Sequence, residues 1–249
     1  MSGHSKWATT KHRKGAKDAA RAKVFAKLIR LVEVAAREGG SDLESNASLR
    51  TMYAKARENS VPLDTIERAI KRGTGELEGV RYEAISYEGY GPGGIAVIIE
   101  TLTDNRNRTS AEVKHLLSKN GGSIAEPGAV AWQFDRKGML EVAGPLNEED
   151  LLEWTVEAGA DNYAASGENF LVTTEPHEVG TVRDSLETHG VKVLSADLTL
   201  VPQSLILVAD KAEAHKIMRL MDAIDDHDDV QNVYANFDVS DEILNTYEG

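Results

Sequence analysis

Apolar residues recur at helical spacing through the first eighty positions and gather into short strand-length runs after them. The stretch Asp18–Glu38 has no Gly or Pro and is rich in Ala, Lys, Arg and Leu, all strong helix formers. Phe25, Leu28, Ile29, Val32 and Ala36 fall on one face, while Arg21, Lys27, Arg30 and Arg37 lie largely off it. Gly39-Gly40 predicts the stop. A second helix is expected over Ala47–Asn59, with Leu49, Met52, Tyr53 and Ala56 inward and Pro62 enforcing the break. Asp64-Thr65-Ile66-Glu67 has the form of an N-cap followed by a carboxylate three residues on, a variant capping box. It predicts a third helix ending at Gly73 as a left-handed C-cap. Three short helices with tight turns make a small bundle.

From about residue 80 strands and helices alternate. Strands are expected at Ile95–Leu102, Ala129–Phe134, Met139–Val142, Asn162–Ala165, Phe170–Thr174, Val191–Leu200, Leu205–Val208 and Val230–Phe237. Helices are expected at Asn107–Lys119, Asn147–Ala158, His177–His189 and about Lys211–Ile224. Residues 138–201 thus read β-α-β-β-α-β, the ferredoxin-like order. The fold class is α+β and multi-domain: a small helical bundle, then two α+β domains, at least one of them ferredoxin-like. The stretches 80–136 and 203–240 each lack the elements to cover a sheet alone. The expectation is therefore one discontinuous domain from both, with 137–202 inserted between them, 1–79 as a basic helical domain and 241–249 as a tail. Three consecutive domains are the alternative.

Charge changes this picture. The chain of 249 residues has a formal net charge of −13, which taken whole argues against a polyanion partner. Its distribution is polarised. Residues 1–80 carry 16 Lys and Arg against 10 Asp and Glu, and residues 1–30 alone carry nine basic residues and one acid, Asp18. Residues 81–249 carry 12 basic and 31 acidic residues. One pole attracts phosphate and the other repels it, so a nucleic acid is the expected partner. The chain has no cysteine, which excludes disulfides, thiolate metal sites and a cysteine nucleophile. No apolar run is long enough to span a membrane, and the polar, basic start does not resemble a secretory signal. A cytoplasmic location is expected.

Gly3-His4-Ser5-Lys6-Trp7 and Lys11-His12-Arg13-Lys14 mix cations with one aromatic ring. Cations neutralise phosphates, and a tryptophan stacks on an unpaired base. The candidate nucleic-acid-binding residues are His4, Lys6, Trp7, Lys11, His12, Arg13, Lys14, Lys17 and Arg21, with Lys71 and Arg72 near a helix end. Arg106 and Arg108 join them. They lie in Asp104-Asn105-Arg106-Asn107-Arg108-Thr109, where Asn107 has the form of an N-cap and a helix start favours anions. Pairing of these arginines with carboxylates such as Asp104 is the alternative. Tyr87–Gly94 lacks a Lys-Ser/Thr ending and a following helix, so it reads as a tight turn before a strand rather than a phosphate loop. Trp132 and Trp154 read as core, and Asp225-Asp226-His227-Asp228-Asp229 as a solvated turn without calcium-loop spacing.

No catalytic residue, metal or cofactor is indicated: the seven histidines are scattered and no nucleophile elbow occurs. Neither a small-molecule substrate nor an oligomer is expected. The segments GHSKWATTKHRKGAKDAARAKVFAKLIR, DTIERAIKRGTG, YEGYGPGGIAVIIETLTDNRNRT and VAWQFDRKG closely resemble the YebC family. That family includes bacterial YebC-type proteins and the mitochondrial translational activator of cytochrome c oxidase. The resemblance implies three domains, no catalysis, and a basic N-terminal motif that maps onto His4, Lys6, Trp7, Lys11, His12, Arg13 and Lys14. Its Asn-Arg-Asn-Arg loop maps onto Arg106 and Arg108. The resemblance further implies one of two roles. The expected one is a ribosome-associated, rRNA-binding translation factor that helps synthesis through difficult sequences such as proline runs. The alternative is a DNA-binding transcriptional regulator.

Overall fold

The structure, a computed structural model, describes residues 18–247, with side chains from residue 22. Helices α1 (Asp18–Gly39), α2 (Ala47–Glu58) and α3 (Leu63–Gly73) pack around Leu28, Val32, Ala36, Leu49, Ala56, Ile66 and Ala69. Asn46 caps α2 by accepting from the Leu49 amide at 2.9 Å, and its amide group donates to the carbonyls of Ala35 and Gly40. One buried side chain thereby ties the end of α1 to the start of α2. Buried Glu33 of α1 holds Arg72 of α3 at 2.8 Å and Arg37 at 3.5 Å.

Two expectations at α3 are corrected. The helix starts one residue before Asp64, after Pro62, with no side-chain cap. Proline pre-sets the entry to the helix, which moves Asp64 inside the first turn, where a carboxylate suits the dipole. Gly73 is the last helical residue rather than a left-handed cap; a Cβ there would collide with the Glu33 carbonyl. Its glycine reflects close helix packing.

The central domain has a four-stranded sheet in the order β3-β1-β2-β9, built from β1 (Glu83–Tyr90), β2 (Ala96–Thr103), β3 (Ser123–Ala125) and β9 (Val230–Ala235). All its pairings are antiparallel. Helices α4 (Arg106–Lys119) and α7 (Lys211–Asp225) share a core with this sheet. Val97 and Ile99 of β2 join Val113, Leu117, Ile217 and Met221. On the other face Ala96 and Ile98 meet Val130, Phe134, Leu200 and Tyr234. Covered on both faces, β2 needs the continuous apolar run seen in its sequence.

Strand β1 replaces much of the turn expected at Tyr87–Gly94. Gly89 sits inside it because a Cβ would lie 2.7 Å from the Ser123 carbonyl oxygen and 3.1 Å from Leu117. The true turn is Gly91–Gly94, where Gly93 and Gly94 take φ of +71° and +73°.

The ferredoxin-like domain holds β4 (Phe134–Val142), α5 (Glu148–Glu157), β5 (Asn162–Ser166), β6 (Asn169–Thr174), α6 (Val179–Thr188) and β7 (Val193–Pro202), with the sheet order β5-β6-β4-β7. In sequence it falls between β3 and β9, which belong to the central sheet. A short parallel pair, β8 (Ile206–Leu207) with β10 (Phe237–Asp238), and the terminal helix α8 (Asp241–Asn245) complete the described chain.

The strand expected at Ala129–Phe134 is instead a single 3₁₀ turn, Ala131–Gln133, leading into β4. Val130 turns inward and Trp132 turns outward. Trp132 is 69% exposed, not core, and its Nε1 donates to the Ala129 carbonyl at 3.0 Å. Glu88 fixes this turn by accepting from the amides of Gly128, Val130 and Ala131 at 2.6, 2.7 and 2.8 Å. Burial alone would raise the Glu88 carboxyl, but these three donors hold it below its ordinary range. Trp154 is half-buried against the ferredoxin-like core and stacks on His189.

Candidate nucleic-acid interface

The residues His4, Lys6, Trp7, Lys11, His12, Arg13, Lys14 and Lys17 lie outside the described residues. Arg21 lies in α1, with its side chain outside them. What the structure shows is the next stretch of the same helix. Lys23, Lys27 and Arg30 are spaced i, i+4, i+7, which places them on one stripe of α1. That stripe meets the acidic turn after α7. Lys23 pairs with Asp226 at 2.9 Å and Lys27 with Asp225 at 3.3 Å. Arg30 pairs with Asp229 at 2.9 Å, donates to the Asp228 carbonyl at 2.6 Å, and lies over the Tyr82 ring at 5.7 Å.

Asp225–Asp229 is a solvated turn only at Asp226 and Asp228. Its last residue is the centre of a buried network: the Asp229 side chain is 3% exposed. Its Oδ2 accepts from Thr109 Oγ1 and from an Arg108 guanidinium nitrogen, both at 2.7 Å, and from Thr103 Oγ1 at 3.1 Å. Its Oδ1 takes Arg30. Burial alone would raise this carboxyl. The Thr109 and Arg108 hydrogen bonds, with the Arg108 charge, hold it below the usual carboxylate range. The Arg108 guanidinium is pushed up in return, chiefly by its hydrogen bond to Asp229. A sequence run of five polar residues gave no sign that one of them folds inward, because solvation and burial are decided by β9, which starts at the next residue.

Arg106 and Arg108 part company. Asn105, not Asn107, caps α4 by accepting from the Arg108 amide at 3.1 Å, so the helix starts one residue earlier than expected. Arg106 is then the first helical residue and is exposed. Arg108 faces back onto Asp104 at 3.0 Å and Asp229 at 2.7 Å. Lys71 and Arg72 part likewise. Lys71 is exposed, whereas Arg72 holds Glu33. Of these four residues the structure brings Arg108 to the stripe on α1, through the shared Asp229; Arg72 and Arg108 are both engaged in ion pairs that organise the fold.

Lys23, Arg30, Tyr82, Arg108, Glu112 and the acidic turn line a cleft of about 540 Å³ between the helical and central domains. Glu112, His227 and Asp229 bring ligand-type atoms within 4.8 Å of one another. The donor set does not suit a metal. His227 Nδ1 accepts the Asp229 amide at 3.1 Å, so the proton of the neutral ring sits on Nε2 and is donated to Glu112 at 2.9 Å. Asp229 is already neutralised by two arginines. His227 and Asp229 are thus committed to protein partners, and the arrangement is a hydrogen-bonded ion network. Among the described residues no helix is long and apolar enough to cross a membrane.

Comparison with known proteins agrees with this architecture. Residues 5–76 match the model of the TACO1/YebC protein N-terminal domain, and residues 82–237 match that of the TACO1/YebC second and third domain. A probable transcriptional regulatory protein of Halothermothrix orenii is 51% identical over 247 residues, covering 98% of both chains. One of Natranaerobius thermophilus is 48% identical over 250 residues, covering 99% of this chain and all of that protein. The crystal structure of a conserved hypothetical protein from Aquifex aeolicus superposes with a TM-score of 0.83 at 44% identity, covering 93% of this chain and 97% of that one. The helical domain, the shared central sheet and the ferredoxin-like domain are those of a known group of proteins, and the chain belongs to the TACO1/YebC family.

Proposed function

We propose that this chain is a non-enzymatic regulator of gene expression that grips nucleic acid through its basic N-terminal pole, with duplex DNA and transcription as the first reading. The observation that carries it is the polarised charge: nine basic residues and one acid in residues 1–30, joined to a body that is strongly acidic. Such a molecule docks on a polyanion in one orientation. The names of the relatives, probable transcriptional regulatory proteins, support DNA over RNA.

The ribosomal reading is kept as the second because of α3. If α2 and α3 were a base-reading helix pair, the exposed face of α3 would present donors to base edges. That face instead pairs Asp64 with Arg68 and sets Glu67 near Lys71. Phosphate and shape contacts from one basic arm suit structured RNA as well as duplex DNA.

Fluorescence anisotropy of the full chain with a labelled DNA duplex and a labelled RNA hairpin tests both. Each should bind with steep salt dependence, and Lys11→Glu with Arg13→Glu should weaken binding at least about tenfold. Stronger binding to duplex DNA supports the first reading. Stronger binding to RNA, with co-sedimentation on ribosomal particles, supports the second. Unchanged affinity in the charge-reversed chain refutes the basic pole as the anchor.

A further inference from the structure

The stripe Lys23, Lys27 and Arg30 continues the basic pole along α1, yet it is covered by carboxylates. We infer that this stripe is a second phosphate-binding surface, and that the acidic turn Asp225–Asp229 occupies it in the free protein as an internal stand-in for phosphate. Polynucleotide and turn then compete for the same cations, and binding releases the helical domain from the central one. The inference rests on the nucleic-acid reading above and adds a site and a means of regulation to it.

Three observations point to an exchangeable contact. First, the outermost pair is wet, while Lys27 and Asp225 beside it are largely covered. The Lys23 and Asp226 side chains are 41% and 75% exposed, so water already competes for them and a phosphate oxygen meets no steric barrier. Second, no buried apolar cluster among the described residues joins the helical domain to the central domain. Separation therefore exposes little hydrophobic surface.

The third observation concerns the inner pair. Breaking a buried ion pair is costly when it leaves a charge uncompensated. Here it does not. When Arg30 departs, Asp229 keeps Arg108, Thr109 and Thr103, all from its own domain. Arg30 in turn exchanges the acceptors of one guanidinium nitrogen, a carboxylate and the carbonyls of Asp228 and Leu102, for phosphate oxygens, which a guanidinium binds with charge-assisted hydrogen bonds. The acidic turn is thus stable with the helix docked or undocked.

The test uses the full chain and a labelled 20-base-pair duplex at fixed salt. Asp225→Asn with Asp226→Asn removes the competitor and leaves every cation, so affinity should rise about three- to tenfold, as for the loss of one exposed and one largely covered competing pair. Most single charge changes on a protein alter binding by adding or removing attraction to the ligand alone, so a second arm isolates release. In a chain with Lys23→Cys and Asp226→Cys, bridging the two thiols with a short bismaleimide locks the helix down. The bridged chain should bind more weakly than the same chain unbridged. Equal affinities in both comparisons overturn the inference, while loss of binding in Lys11→Glu with Arg13→Glu still upholds the basic pole. A parent chain that binds neither DNA nor RNA overturns both.

Discussion

The central domain touches its two neighbours with different chemistry. Toward the ferredoxin-like domain it presents Ala96, Ile98 and Val130, which close over Phe134 with Leu200 and Tyr234 alongside. Toward the helical domain it presents Asp225, Asp226, Asp228 and Asp229, met by Lys23, Lys27 and Arg30. A further polar bridge, Lys55 to Asp197 of β7, ties α2 to the ferredoxin-like sheet. The apolar contact gains from excluding water and has no alternative partner in solution. The ionic contact is made of groups that water, salt and phosphate all satisfy. The difference separates a fixed two-domain body from a helical domain held by exchangeable bonds.

The most severe way to break the comparison is to empty the apolar side. Phe134 is 7% exposed and sits where β4 begins. Phe134→Ala should destabilise the chain by about 3–5 kcal/mol, through lost transfer energy and the cavity left between the domains. Urea denaturation followed by circular dichroism measures it. A loss under about 1 kcal/mol would mean that the two α+β domains are no more firmly joined than the helical one.

How much of this was legible in the sequence depends on what each residue answers to. Helix α1 was readable from end to end because its periodicity and its Gly39-Gly40 stop are local. The ferredoxin-like order was readable because its strands and helices differ in period and are separated by turn residues. Strand β1 was hidden: Gly89 punctuates it for a reason found only in space, the nearby carbonyl of Ser123. Trp132 looks like core in any one-dimensional pattern, and only the 3₁₀ turn held by Glu88 turns it out. Asp229 is the opposite error. Within a run of acids it reads as solvated, and its burial follows from Thr103, Thr109 and Arg108, more than a hundred positions away.

Asp229 also supplies a sharper contrast, through pH. Its carboxyl is held below the ordinary range in the fold, near 3.9 in an unfolded chain. A depressed value means the folded state favours the charged form. The resulting stability is complete above the unfolded value and is lost as pH falls through the lower, folded one. Denaturant midpoints should therefore be insensitive to this group between about pH 5 and 8 and fall in acid, below about pH 4. Asp229→Asn keeps the shape and removes the titration. It should be less stable than the parent at pH 7 and lose less on acidification. Parallel acid profiles would show that another group carries the response.

The smallest effect tests the ionic side most directly. Lys23→Ala and Asp226→Ala, singly and together, form a double-mutant cycle on a pair whose carboxylate is three-quarters exposed. The coupling should be about 0.2–1 kcal/mol in low salt, the range of solvent-exposed pairs. It should shrink further by 1 M salt, where the screening length drops to about 3 Å. The same salt step should leave the Phe134→Ala penalty nearly intact, because apolar burial is not screened by ions. A coupling well above about 1.5 kcal/mol that persists in high salt would describe a rigid, desolvated bond. Phosphate could not then displace Asp226 from Lys23, and the helical domain would be as firmly fixed as its apolar counterpart.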